Sequence, residues 1–402
     1  MSEPVETRRC IYCFKDKPLD EFSLEHIWPD ALGGRLCSEA LKTRDVCGIC
    51  NNLCGLFVDG AFIKSWFVQM EIANQGYLFL DPEKPSAVPF AYFGAEPAIK
   101  TEEGEVCERW QGLAGERIYH FHLADKPGWD TFAGGDIIRR RREDAGRAYM
   151  ALTSSHEFWT FTAALSFREQ FPRAKRVVLT EVASDDPDHD RIVRALFSRG
   201  DPTDEVQARD EARLADALDR THVHTRIEAQ ANFDGRFLCK LALGLGRNIL
   251  GLRHGESAYG AELRRGLWER DASARRDLRI RGTGMLGEGQ AHTQDRLKDF
   301  LNWPGCWSLL IMKHGEDLAA HVHTPSGVKL SVVIAEQLSL YEGVDLEPFV
   351  EGQICFISMP NATFVGPVWL PEVLAHKLGT QVSHQLEGLD PSTDRPPLPP
   401  KL

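Results

Sequence analysis

The stretch that decides the reading runs from Cys10 to Asp59. It holds Cys10-Ile-Tyr-Cys13, then Ser23-Leu-Glu25-His26-Ile-Trp28-Pro29, Leu32-Gly33-Gly34, Cys47-Gly-Ile-Cys50-Asn51-Asn52 and Phe57-Val58-Asp59. Each Cys-x-x-Cys can put two thiolates on one side of a tight turn. Two of them complete a tetrahedral zinc site, here Cys10, Cys13, Cys47 and Cys50. One pair alone would equally suit a redox dithiol, and incidental core cysteines are the bland alternative. Two pairs separated by a short segment point to zinc. Cys37 and Cys54 are spare thiols of the same region, read as core packing.

The residues between the knuckles exceed what a purely structural zinc site needs. Glu25 and His26 are adjacent, just before Pro29. Neighbours on a strand point to opposite faces, and at a distorted strand end both can approach one phosphate. An imidazole titrates near neutrality, which suits His26 to deprotonate a water. Glu25 and Asp59 offer hard oxygen ligands for a Mg2+-type ion that neutralises a phosphodiester in its transition state. The Asn51 amide is suited to hold a loop or orient the His ring. Taken singly, each of these residues reads as an ordinary turn or surface position; the case rests on their sharing one cysteine frame.

Together they resemble the HNH endonucleases, the ββα-metal nucleases, in their zinc-knuckle form. The matching features are Cys10-x-x-Cys13, Glu25-His26-x-x-Pro29, Leu32-Gly33-Gly34, Cys47-x-x-Cys50-Asn51 and Asp59, within roughly the first 60 to 80 residues. The resemblance implies His26 as general base and Glu25 as the acidic metal ligand beside it. It implies Asn51 as the middle Asn, with Asn52 a rival, and Asp59 as the final metal ligand. There the family often has His or Asn, so Asp59 keeps an oxygen ligand and changes the charge. The implied cofactors are a structural Zn2+ and a catalytic Mg2+ or Mn2+.

The chain has 402 residues, 43% of them hydrophobic and 26% charged, and a formal net charge of -12. This is a soluble globular composition with room for two or three domains. No apolar run approaches a membrane span, and residues 1–9 lack the apolar core of a secretion signal. Five of the ten cysteines lie from Cys10 to Cys50. That pattern reads as metal usage in a reducing, cytoplasmic compartment. An acidic protein that binds DNA must gather its positive charge locally. The candidates are Arg139, Arg140, Arg141 and Arg142, and a second segment from Arg264 and Arg265 to Arg281. Solvated helix faces are the alternative for both.

The expected fold class is α+β: a small ββα-metal module with the four-cysteine zinc site over residues 1–80, a larger mixed α+β region over 87–385, and a Pro-rich tail over 386–402. Periodicity predicts helices over 56–70, 137–152, 158–170, 203–220, 233–252 and 259–270. It predicts short strands within 87–131, a strand over 176–180, and more strands from 307 to 358. The loop 81–86 marks the expected boundary. Three His-x-His pairs, His120/His122, His222/His224 and His321/His323, each place two imidazoles on one strand face. With no further ligand near in sequence, exposed strand faces are the preferred reading.

The expected function is a metal-dependent HNH endonuclease that hydrolyses phosphodiester bonds of DNA. The segment Lys240 to Trp268 resembles the helical region of large bacterial HNH endonucleases. That likeness suggests a setting in antiphage defence, with a protein partner or activating ligand on the second region. The alternative is a non-catalytic zinc-ribbon module for DNA or protein binding.

Overall fold

The computed structural model describes residues 6–81, 83–123, 146–154, 156–179, 203–218, 224–225, 232–283 and 301–391. Arg139 to Arg142, His222 and the tail beyond Pro391 lie outside the described residues. The fold is α+β. The chain divides into two compact units: residues 1–63 join 230–391, and the second unit holds residues 64–229. The division therefore falls at Lys64, ahead of the 81–86 loop where composition put it.

The first unit opens with a two-stranded pair, β1 (Thr7–Arg9) and β2 (Asp16–Pro18). Next, β3 (Phe22–His26) and β4 (Lys42–Cys47) pair antiparallel, with a register shift between Ser23 and Glu25. The link between them carries Leu32-Gly33-Gly34. Gly33 sits at φ +101°, and a Cβ on Gly34 would lie 2.1 Å from the Trp28 carbonyl oxygen; only glycine tolerates both situations. Directly after β4 comes α1 (Gly48–Cys54), continued by a π turn over Gly55–Asp59 into α2 (Gly60–Ile63). The predicted helix 56–70 is thus two helices. The first begins at Gly48. The chain breaks at Ser65, whose hydroxyl accepts the Val68 N–H and caps α3 (Trp66–Leu78), since a Ser oxygen satisfies an orphan amide of the first turn.

In the second unit α3 is followed by a five-stranded sheet in the order β5 (Ala91–Ala95), β6 (Glu105–Gln111), β7 (Arg117–Leu123), β8 (Arg147–Ala151) and β9 (Lys175–Val178). All neighbours are antiparallel except β8 and β9, which are joined through α4 (Glu157–Gln170), as a parallel pair needs a crossover. Alternation assigns the two faces. Tyr92, Trp110, Ile118, Ala148 and Met150 pack with Ala163, Ala164 and Phe167 of α4. Cys107, Tyr119, Phe121, Tyr149 and Val177 pack with Leu214 and Ala217 of α5 (Glu205–Leu218). The predicted helix over 137–152 is corrected in its described part, which is the strand β8. Ala148, Tyr149 and Met150 bury toward alternate faces, a period of two that helix-favouring Ala and Arg disguise.

The chain then returns to the first unit with α6 (Asn232–Leu250), α7 (Leu252–Glu256), α8 (Ala258–Trp268) and α9 (Ala272–Arg276). A fully antiparallel sheet follows, formed by β10 (Gly282–Thr283), β11 (Trp307–His314), β12 (Asp317–His323), β13 (Lys329–Ala335), β14 (Gln353–Ser358) and β15 (Thr363–Trp369), in the order β10-β13-β12-β11-β14-β15. The short α10 (Leu370–Lys377) comes after it. The ββα module and this distant sheet share one core, and α6 joins them. Phe237 of α6 stacks on Phe62 at 4.0 Å and meets the edge of Trp28 at 5.9 Å, while Trp28 meets Trp307 of β11 at 5.7 Å. Each buried aromatic of this kind contributes roughly 1.5–3 kcal/mol relative to exposure. At Gly244 an added Cβ would come within 2.7 Å of the Ile27 side chain, so the backbone of α6 packs directly on the residue that follows β3.

Candidate metal centre and nuclease site

Three elements bring the cysteines together. Cys10 and Cys13 lie on the turn after β1, closed by the Phe14 amide donating to the Cys10 carbonyl at 2.8 Å. Cys47 ends β4, and Cys50 lies in the first turn of α1. The four sulfurs lie within 4.8 Å of one another. A tetrahedral zinc with bonds of about 2.3 Å sets its sulfurs about 3.8 Å apart, so the cluster fits the ion. The Cys47 amide also donates to the Cys10 sulfur at 3.4 Å. The Cys10 thiol is pulled down to about 5, chiefly by the hydrogen bond from Cys50 and against the effect of burial. Cys50, as donor, is pushed up. The thiolate is the form that binds zinc. Cys37 and Cys54 stand outside the cluster and are buried.

Glu25 and His26 close β3 and part to its two faces: Glu25 is 3% exposed, while His26 is half-buried. Asn51 of α1 donates to the Ser23 hydroxyl at 2.9 Å and to the Leu24 carbonyl at 2.8 Å. It clamps the helix to β3 where the register shifts, one residue from Glu25. Asn52 is exposed. Asp59 lies at the end of the π turn; such turns re-aim a side chain within a helix and recur at functional sites.

Residues 10–67 match the family model of an HNH endonuclease. The N-terminal segment is an HNH module. Among curated proteins and solved structures, no match to the chain was found. The HNH family supports a nuclease-type function, divalent metal use and nucleic-acid binding.

Local spacing did not reveal a fifth participant in the HNH module, Lys240. Its ammonium lies 2.7 Å from Glu25 Oε1, 2.7 Å from Asp59 Oδ2 and 2.8 Å from the His26 carbonyl oxygen. An ammonium has three donors, and here each has an acceptor. Tyr12 adds a hydroxyl donor to Glu25 Oε1 at 3.1 Å. The Lys240 side chain is 0% exposed. Burial alone would lower its pKa, but the charges of Asp59 and Glu25 outweigh it and hold Lys240 above the usual lysine value. Burial pushes the Asp59 carboxyl up to about 6, Glu25 adds to that, and Lys240 opposes it.

The resemblance implies a catalytic divalent ion held by Glu25 and Asp59. In this arrangement the two carboxylates already share a cation, and that cation is an ammonium. Asp59 Oδ1 is the buried oxygen of the pair that has no hydrogen-bond partner among the described residues. A hard divalent ion takes about six oxygens. With Lys240 seated, the pair does not fit such an ion. The signal that could have exposed Lys240 is present in the sequence. It is a lysine inside the apolar run Phe237–Leu245, and lysine is almost never fully buried unless paired.

Lys240 belongs to a polar seam along α6. Arg236 donates to the Phe57 carbonyl at 3.0 Å, Arg247 pairs with Asp45 at 2.7 Å, and Asn248 donates to the Ala40 and Lys42 carbonyls at 2.9 Å each. Residues 236, 240, 244, 247 and 248 recur at three and four positions, one helix face. That face bonds carbonyls of the π turn, of the end of β3 and of the chain entering β4, and the Asp45 side chain.

The basic candidates are placed unevenly. Arg264 lies over the Phe14 ring at 4.0 Å and donates to the Gly255 carbonyl at 2.7 Å. Arg265 pairs with Glu262 at 2.9 Å, and Arg281 with Asp317 at 2.7 Å. These three each have a partner within the chain, while Arg265, Arg270, Arg276, Arg279 and Arg281 are exposed. Among the described residues, no single helix is long and apolar enough to cross a membrane.

Proposed function

We propose that the chain is an HNH endonuclease that hydrolyses phosphodiester bonds of DNA, with His26 as general base and Asn51 as the residue that positions the strand carrying it. The observation that supports this reading is the half-buried His26 at the end of β3, inside the cysteine frame and beside the Asn51 clamp. In the reaction His26 takes a proton from water, the water oxygen forms a bond to phosphorus, and the bond from phosphorus to the 3′ oxygen breaks. The leaving oxygen takes its proton from solvent. The divalent ion that the family implies would supply charge to the scissile phosphate. Glu25 and Asp59 do not fit it with Lys240 in place, so His26 and Asn51 alone carry the reading. Arg139 to Arg142 remain the proposed phosphate contacts, with Arg264 and Arg265 as secondary candidates.

Lys240 favours a second reading. A saturated, buried ammonium on the two carboxylates suits a module that keeps the HNH frame and binds DNA or protein without cutting. Incubation of the purified protein with plasmid, with Mg2+, with Mn2+ and with EDTA, beside His26→Ala, separates the two. Cleavage lost in His26→Ala supports the nuclease. No cleavage by the wild type under any metal supports the binding module.

A further inference from the structure

In the second unit, register brings together three residues that are far less obviously related in sequence. Glu108 of β6 is the direct cross-strand partner of His120 on β7, and His122 follows two residues later. Residues two apart on a strand share a face. That face is the one covered by α4: Trp110, two after Glu108, and Ile118, two before His120, both belong to the core that includes Ala163, Ala164 and Phe167. The three side chains are therefore buried, with Glu108 and His120 at 0% and His122 at 7% exposure.

Their geometry converges on one point. Glu108 Oε2 lies 3.2 Å from His122 Nε2 and 3.9 Å from His120 Nδ1. The two imidazoles stack at 4.8 Å between centroids, and one ligand atom from each of the three residues lies within 4.8 Å of the others. Ligand atoms around a first-row ion at about 2.0–2.2 Å stand roughly 3 to 3.5 Å apart, so only small side-chain adjustments separate this cluster from a coordinating one.

The surroundings orient the ligands. His122 Nδ1 lies 3.0 Å from the Leu123 carbonyl oxygen. A carbonyl can only accept, so Nδ1 carries the proton, and Nε2, which lies toward Glu108, is the nitrogen a metal ion would take once its own proton is displaced. The Tyr92 hydroxyl donates to Glu108 Oε1 at 2.9 Å and leaves Oε2 toward the imidazoles. Metal-binding histidines typically give their second nitrogen to a carbonyl, and ligating carboxylates are held by hydrogen bonds in the same way.

We propose that Glu108, His120 and His122 form a second metal site, separate from the cysteine cluster, that takes a divalent first-row transition ion, zinc or iron(II). Two imidazoles and one carboxylate suit such ions, whereas calcium and magnesium prefer all-oxygen sets. The site ties β6 to β7 at the centre of the second unit's sheet. It is independent of the nuclease reading, because it uses no residue of the HNH module.

The test is metal retention by the full-length protein. It is reconstituted separately with zinc and, anaerobically, with iron(II), then desalted and analysed. The wild type is expected to retain about two ions per chain, one for each cluster. Glu108→Gln should retain about one, and Cys47→Ser should lose the other. Tyr92→Phe keeps all three ligands and should weaken retention about 10-fold, which keeps the test open if Glu108→Gln fails to fold. Whichever metal is retained identifies the ion. About one ion per chain in the wild type with both metals overturns the site, as does retention of two by Glu108→Gln or unchanged retention in Tyr92→Phe. Each of those outcomes leaves a buried carboxylate–imidazolium contact instead.

Discussion

The Lys240 ammonium lies 2.7 Å from the Asp59 carboxylate, across 181 residues of chain. This bond makes α6 part of the HNH module. It puts a lysine where the resemblance placed a metal ion, and the same ammonium also holds Glu25 and the carbonyl of His26. Removing one member of a buried ion pair leaves the other as an uncompensated charge, at a cost of about 3–5 kcal/mol. Lys240→Ala should therefore destabilise the first unit by that order in denaturant unfolding. It also frees two carboxylates for a divalent ion. Added Mn2+ should raise the melting temperature of Lys240→Ala by more than that of the wild type. An equal response in both proteins would show that Lys240 does not hold the cation position.

Zinc removal should be more severe. Metal analysis of Cys47→Ser should show one zinc fewer than the wild type, and the first unit should lose its cooperative melting. Structural zinc contributes on the order of 10 kcal/mol or more to small zinc domains. A zinc-free preparation that melts like the holoprotein would sink the assignment.

His26 and Asn51 should separate chemistry from scaffolding. His26→Ala is expected to keep zinc content and thermal stability and to lose cleavage by about 100-fold or more. Asn51→Ala removes two hydrogen bonds to β3 and should cost roughly 1–3 kcal/mol of stability as well as activity. Plasmid cleavage and calorimetry on both variants check this. Full activity in His26→Ala removes His26 from the mechanism.

Acid should loosen the first unit through His254. This residue of α7 is 1% exposed and bonds the Ile334 carbonyl at 2.8 Å. Burial pushes its pKa down to about 4, whereas an unfolded histidine titrates near 6.5. Between these values the unfolded chain binds more protons, so stability falls as pH falls. The contribution should be complete above about pH 6.5 and lost as pH drops through about 4, roughly 3 kcal/mol in all. Melting curves across this range, beside His254→Gln, test it; the same slope in the variant would assign the acid sensitivity elsewhere.

What the sequence by itself determined about this protein was local. Cys10 faces Cys13, and Cys47 faces Cys50, because ligands three residues apart share a turn, whatever surrounds them. Glu25 and His26 part to opposite faces because strand geometry demands it. Helices such as α4, α5 and α8 follow from side-chain periodicity within one segment. Two local readings failed where that signal is ambiguous. One is the described part of 137–152, where Ala and Arg hid the alternation of β8. The other is the helix over 56–70, which begins at Gly48 and yields to the Ser65 cap. Only the tertiary structure decided the rest. Lys240 reaches Glu25 and Asp59 because Phe237 stacks on Phe62 and Gly244 lets α6 close on Ile27. Glu108 meets His120 and His122 because the register of β6 against β7 sets which residues face each other. Both depend on contacts between residues remote in the chain, which no spacing rule within a single segment encodes.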